Sequence, residues 1–87
     1  MMGLLGRSSL PADEGLLLVP AWSIHTWFMR FPIDVVFLDA EGRVLRVVER
    51  MRPWRLVSVR RARAVIELAA GVAARLDIRE GARIGDS

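Results

Sequence analysis

The sequence predicts a mainly β (α+β) domain, a small antiparallel sheet curled into a partial barrel with one short helix near residues 69–76. Three observations predict it. Short runs of β-branched and aromatic residues, bounded by Gly, Pro, Asp or Ser, recur along the chain, and such runs form strands. Apolar residues at the four-residue spacing of one helix face occur convincingly once, at Leu68, Val72 and Leu76. The 87 residues, without internal repeat or linker, fit one domain on the usual scale of about 100–200 residues each. A single domain over residues 1–87 is therefore expected.

In chain order, residues 1–7 form a short segment punctuated by Gly3 and Gly6, and residues 8–15 form a loop rich in turn formers. Residues 16–19 suit a short buried strand, ended by Pro20. Residues 24–29 read as a strand whose alternation puts His25, Trp27 and Met29 on one side and Ile24, Thr26 and Phe28 on the other. Residues 30–33 turn the chain. Residues 35–38 are apolar on both faces, as in a strand covered from both sides. Residues 39–42 make a hairpin turn into a strand over residues 43–49. Pro53 makes residues 51–54 a loop or an edge, because proline cannot donate to a strand ladder. Strands follow over residues 56–59 and 64–68, separated by an exposed Arg60-Arg61-Ala62-Arg63. The helix spans residues 69–76 and stops at Asp77, and a last turn at 79–82 leads to a short strand at Arg83 and Ile84.

Composition removes much chemistry. The chain contains no Cys, Lys, Tyr, Asn or Gln, and only one His, His25, and one Thr, Thr26. Disulfides, thiolate nucleophiles and Cys-ligated zinc are excluded, and so are a lysine Schiff base and a phosphate-loop lysine. No Gly-x-Ser-x-Gly surrounds Ser8, Ser9, Ser23 or Ser58, which argues against a serine hydrolase of the elbow type. The net charge is +3, carried entirely by 13 arginines against ten acids. The longest aliphatic run near the start, residues 16–19, falls far short of the roughly 20 apolar residues of a membrane span. A soluble, cytoplasmic chain without a membrane partner is expected.

Several separated blocks appear in a fixed order: Gly3-Leu4-Leu5-Gly6-Arg7, Gly15-Leu16-Leu17, Met29, Pro32-Ile33-Asp34, Phe37-Leu38-Asp39, Gly42-Arg43-Val44, Glu67-Leu68-Ala69-Ala70-Gly71 and Leu76-Asp77-Ile78. Together they resemble the family of ancient conserved regions called domain of unknown function 192, over nearly the whole chain. The resemblance implies a small β-rich domain with one short helix, and it implies that an upstream edge strand of the family is missing here. The chain departs from the family pattern at Phe28, where a Trp commonly precedes the Met, at Ala69, where a Pro often opens the helix, and at Ala82, where an Asp often follows Gly81.

Three groups of residues are candidates for function. His25 is the only imidazole, and its structural role would be a packed, hydrogen-bonded one. If residues 24–29 pair with 34–39 as a hairpin, Met29 faces Asp34 and His25 faces Leu38. His25 and Asp34 then lie about 13 Å apart at roughly 3.3 Å per residue, too far to share a metal. Asp34, between a proline turn and an apolar strand, must find partners: backbone N–H groups of its turn, Arg30, or a ligand beside Trp27 and Met29. The stretch from Arg43 to Arg63 holds eight arginines against Glu49 alone, 8 − 1 = +7, leaving −4 elsewhere. With Trp54 among them, Arg52, Arg55, Arg60, Arg61 and Arg63 are candidates for binding a polyanion.

The sequence thus favours a non-catalytic domain that binds a small ligand or a protein partner around His25, Trp27, Met29, Arg30 and Asp34. Polyanion or nucleic-acid binding through the arginine stretch ranks second, and an enzyme without a visible motif third. No cofactor and no metal are expected.

Overall fold

In the computed structural model the described residues are 2–4, as backbone, and 15–26 and 30–84 in full. Trp27 and Met29, two of the candidate ligand residues, lie outside them, as does the second half of the strand expected over 24–29. Among the described residues the strands are β1 (Met2–Leu4), β2 (Gly15–Leu18), β3 (Ser23–His25), β4 (Ile33–Leu38), β5 (Val44–Met51), β6 (Leu56–Ser58) and β7 (Ala64–Ala69), followed by one helix, α1 (Val72–Arg75). They form a five-stranded sheet in the order β1-β2-β7-β4-β5 and a two-stranded ribbon of β3 and β6. Every pairing is antiparallel. The fold is mainly β with one short helix, as the sequence predicts.

β4 organises the molecule. All six of its residues are buried, because the sheet has neighbours on both edges of this strand and covering layers on both faces. Alternation sends Val36 and Leu38 into one core with Val44, Ile66, Leu68 and Ala73, under α1 and the segment carrying Ile78 and Ile84. It sends Ile33, Val35 and Phe37 into the other, with Val65, Met51 and Ile24, roofed by the ribbon residues Val57 and Val59. The turn at 39–42 forms as expected: the Asp39 carboxylate accepts the N–H groups of Glu41 and Arg43, each at 2.9 Å, the local bonding that suits Asp to turns.

Three sequence expectations are corrected. The hairpin between residues 24–29 and 34–39 does not form. β4 lies between β5 and β7, and β3 instead pairs with β6, so that His25 stands opposite Leu56 rather than Leu38. A strand buried on both faces takes an interior place in the main sheet, between β7 and β5, and the half-polar β3 is left to roof it. The helix is four residues rather than eight, since β7 continues through Ala69, which pairs with Ile33. Gly71, at φ +94°, makes the turn between them, a conformation that glycine adopts without the Cβ penalty. Leu68, Val72 and Leu76 do share one core, but Leu68 reaches it from a strand. The last strand reduces to an isolated bridge between Arg43 and Arg83. Among the described residues no helix is long and apolar enough to cross a membrane.

Candidate functional site

Asp34 is 0% exposed, and its carboxylate is consumed by the backbone. β5 bulges opposite it: Ile33 pairs with Met51 and Val35 with Val48, so Glu49 and Arg50 together oppose one residue. Arg50 takes φ +52° there, and its N–H donates to Asp34 Oδ1 at 2.8 Å. Oδ2 accepts the N–H of Gly71 at 3.0 Å and of Ala73 at 2.9 Å, donors that the start of a helix leaves without intrahelical partners. The partners are backbone groups, as one sequence reading has it, but they come from β5 and α1 rather than from the turn at 30–33.

Thr26 is 1% exposed and ties down the turn that carries Trp54, a structural role its sequence context does not announce. Its hydroxyl donates to the Arg52 carbonyl at 2.7 Å and accepts the Arg55 N–H at 3.0 Å. Its backbone N–H donates to the Arg55 carbonyl and its own carbonyl accepts the Trp54 N–H, both at 2.9 Å. What the sequence does show is a sole threonine on the same strand face as Ile24. Trp54 adopts φ +64° and is 64% exposed.

The antiparallel ribbon divides the arginine stretch. Arg52 and Arg55 lie beside Leu56, at the His25 end, around an open cleft of about 360 Å³ that also includes Arg50. Arg60, Arg61 and Arg63 lie beyond Ser58, at the Ser23 end. There they face Pro20, Ala21 and Trp22 across a cleft of about 460 Å³. Backbone bonds hold its two walls together: Ala21 N–H to the Arg63 carbonyl at 2.9 Å and Val59 N–H to the Trp22 carbonyl at 2.8 Å. Arg63 N–H in turn donates to the Leu38 carbonyl at 2.7 Å, fixing this wall to the main sheet. All three arginines are exposed, and Trp22 is 57% exposed. Among the described residues no acid lines this cleft.

A third cleft, of about 320 Å³, opens at the far end of β7, with Leu16, Phe31, Ile33 and Ala69 around a single acid, Glu67. Glu67 is half-buried, and burial raises its pKa above the ordinary 4.5 while the charge of nearby His25 opposes that rise. His25 and Arg30 are both exposed, and Arg30 leads directly into Phe31. The structure thus brings His25 near a carboxylate, but that carboxylate is Glu67, on the opposite sheet face from Asp34. Among the described residues no three His, Asp or Glu side chains gather to hold a metal.

The pattern of blocks and the fold agree with one family. DUF192, an uncharacterized ancient conserved region, matches residues 1–85. The chain belongs to the DUF192 family. Among its relatives, a UPF0127 protein of Pyrococcus abyssi is 40% identical over 63 residues, 71% of this chain and 53% of that protein. A UPF0127 protein of Pyrococcus horikoshii is 48% identical over 46 residues, 52% of this chain and 39% of that protein. The chain thus spans about half or less of the curated relatives it matches. A crystal structure of a protein of unknown function from Novosphingobium aromaticivorans superimposes with a TM-score of 0.72 at 26% identity, over 94% of this chain and 64% of that one. This chain and that protein share one fold. Membership carries no activity with it.

Proposed function

We propose that this domain is a non-catalytic binding module that takes a small, flat organic anion in the cleft between Trp22 and Arg60, Arg61 and Arg63. One observation carries the reading: an exposed indole faces three exposed guanidinium groups across a cleft whose walls are pinned by backbone hydrogen bonds. Guanidinium forks match carboxylate and phosphate geometry, and an exposed indole offers a stacking surface for a planar ring. Fixed walls reduce the ordering cost of binding. Among the described residues the cleft has no acid to repel an anion. Asp34 plays no part, since its oxygens serve the fold.

The test is an amide and indole NMR titration with adenosine 5′-monophosphate and with benzoate at physiological salt. Saturating shifts are expected at Ala21, Trp22 and residues 60–63. Trp22→Ala, and separately the pair Arg60→Ala and Arg61→Ala, should each weaken binding tenfold or more, about 1.4 kcal/mol. Shifts elsewhere, or none by about 10 mM, would overturn the proposal. The division of the arginines between two ribbon ends also bears on the polyanion reading. A fifteen-nucleotide single strand should bind weakly, and a log–log salt slope steeper than about −3, meaning four or more phosphates neutralised, would put that reading first.

A further inference from the structure

A second site of opposite charge lies at the other end of β7. Arg63 adjoins the start of this six-residue strand and Ala69 ends it, so the two clefts are about 17 Å apart at roughly 3.4 Å per residue, beyond the Debye length at physiological salt. Glu67 stands opposite Leu16 on β2 and Val35 on β4, on the sheet face where Val35 and Val65 are fully buried. Among the described residues it is the one charged side chain lining its cleft. Among the described residues its carboxylate accepts no hydrogen bond, and the charge of His25 is its electrostatic partner. A carboxylate drawn out of water without a donor is costly, so a ligand that delivers a charged N–H group recovers an interaction the folded chain does not supply.

The surrounding walls narrow the ligand class. Leu16, Ile33 and Ala69 accept an aliphatic stem, and Phe31, 59% exposed, offers a ring face to which a cation is attracted. A volume of about 320 Å³ is at the small end of ligand sites, sized for one slender chain rather than a folded surface. We propose that this cleft binds an alkylammonium group, such as the end of a lysine-like chain, with Glu67 as its counter-ion and Phe31 and Leu16 as its apolar walls. This site is independent of the anion cleft, and its ligand is a distinct chemical class.

The experiment titrates the intact chain with n-butylammonium, and in parallel with n-butanol and butyrate, following backbone amides by NMR. The ammonium should give saturating shifts at Leu16, Phe31, Ile33 and residues 67–69, and butyrate none. Glu67→Gln, which preserves size and removes charge, should weaken ammonium binding at least tenfold. Arg60→Ala with Arg61→Ala should leave it unchanged, which separates failure here from failure of the anion cleft. Equal binding of butanol and butylammonium would reduce the cleft to an apolar groove and overturn the proposal. So would wild-type affinity in Glu67→Gln, or no saturation by about 50 mM, a free energy weaker than about −2 kcal/mol. Should Glu67→Gln fail to fold, Phe31→Ala is the second variant, with a severalfold loss of ammonium affinity expected and an unchanged affinity counting against the site.

Discussion

Asp34 and Glu67 sit on adjacent rungs of the same two strands, Asp34 opposite Leu68 and Glu67 opposite Val35, and they point to opposite faces of one sheet. The sequence singles out Asp34 as the carboxylate that matters most, for stability, for a ligand or for both. The structure gives Asp34 three backbone donors and no exposed surface, whereas Glu67 has no donor among the described residues and opens into a cleft. Burial therefore does not distinguish a working acid from a structural one. Satisfaction does: a carboxylate whose oxygens are all occupied holds the fold together, and one that is half-dry and unmatched retains affinity for something else.

The largest effect should come from Asp34→Ala. It strands three N–H groups, each orphaned donor costing about 1–3 kcal/mol, against a total of about 4–13 kcal/mol for a chain this long at 0.05–0.15 kcal/mol per residue. Urea denaturation should show a loss of about 3–6 kcal/mol, or no cooperative transition. An unchanged midpoint would erase the contrast between the two carboxylates.

Thr26→Val sharpens the same point with a neutral group of equal shape. It leaves the Arg55 N–H and the Arg52 carbonyl unmatched, and a loss of about 1–3 kcal/mol is expected, smaller than for Asp34→Ala. Quenching of Trp54 fluorescence by iodide should rise as well, because the turn that holds the indole is freed. A stability equal to wild type would show that the clamp is replaceable by water.

The smallest effect, and the opposite sign, belongs to Glu67→Gln. The folded pKa of Glu67 lies above 4.5, chiefly through burial, so between 4.5 and that raised value the folded state holds more protons than the unfolded one. Wild-type stability then falls as pH rises through this window and stays lower above it. Glu67→Gln should melt slightly higher than wild type at pH 7, and the advantage should vanish below pH 4.5. A variant less stable than wild type at pH 7 would mean that Glu67 has a partner worth more than its desolvation.

What the sequence discloses depends on how local the physics is. β4 is legible because its burial on both faces leaves a continuous apolar run, and the Asp39 turn because its hydrogen bonds span two and four residues. The partners of Asp34 are 16, 37 and 39 residues away, so the chain advertises a need but not its answer. Glu67 is hidden by alternation, since an acid within residues 64–69 looks like the solvent side of a strand until the ribbon is placed above that face. The arginines mislead for a related reason: nearness in sequence suggests one patch, and β6, running between two turns, carries them to opposite ends. The helix boundary fails because Leu68 contributes the right contact from the wrong kind of element.

The bulge opposite Asp34 imposes a constraint of number rather than of kind. Glu49 and Arg50 are exposed, and their side chains are free to drift over evolutionary time so long as a residue at position 50 tolerates its left-handed backbone. Their count is not free. Removing one would restore a flat ladder, with Met51 still opposite Ile33, and withdraw the bulge geometry that aims the Arg50 N–H at Asp34. Among related chains, this part of the strand should therefore vary by substitution and resist insertion or deletion, the reverse of what two exposed positions ordinarily permit.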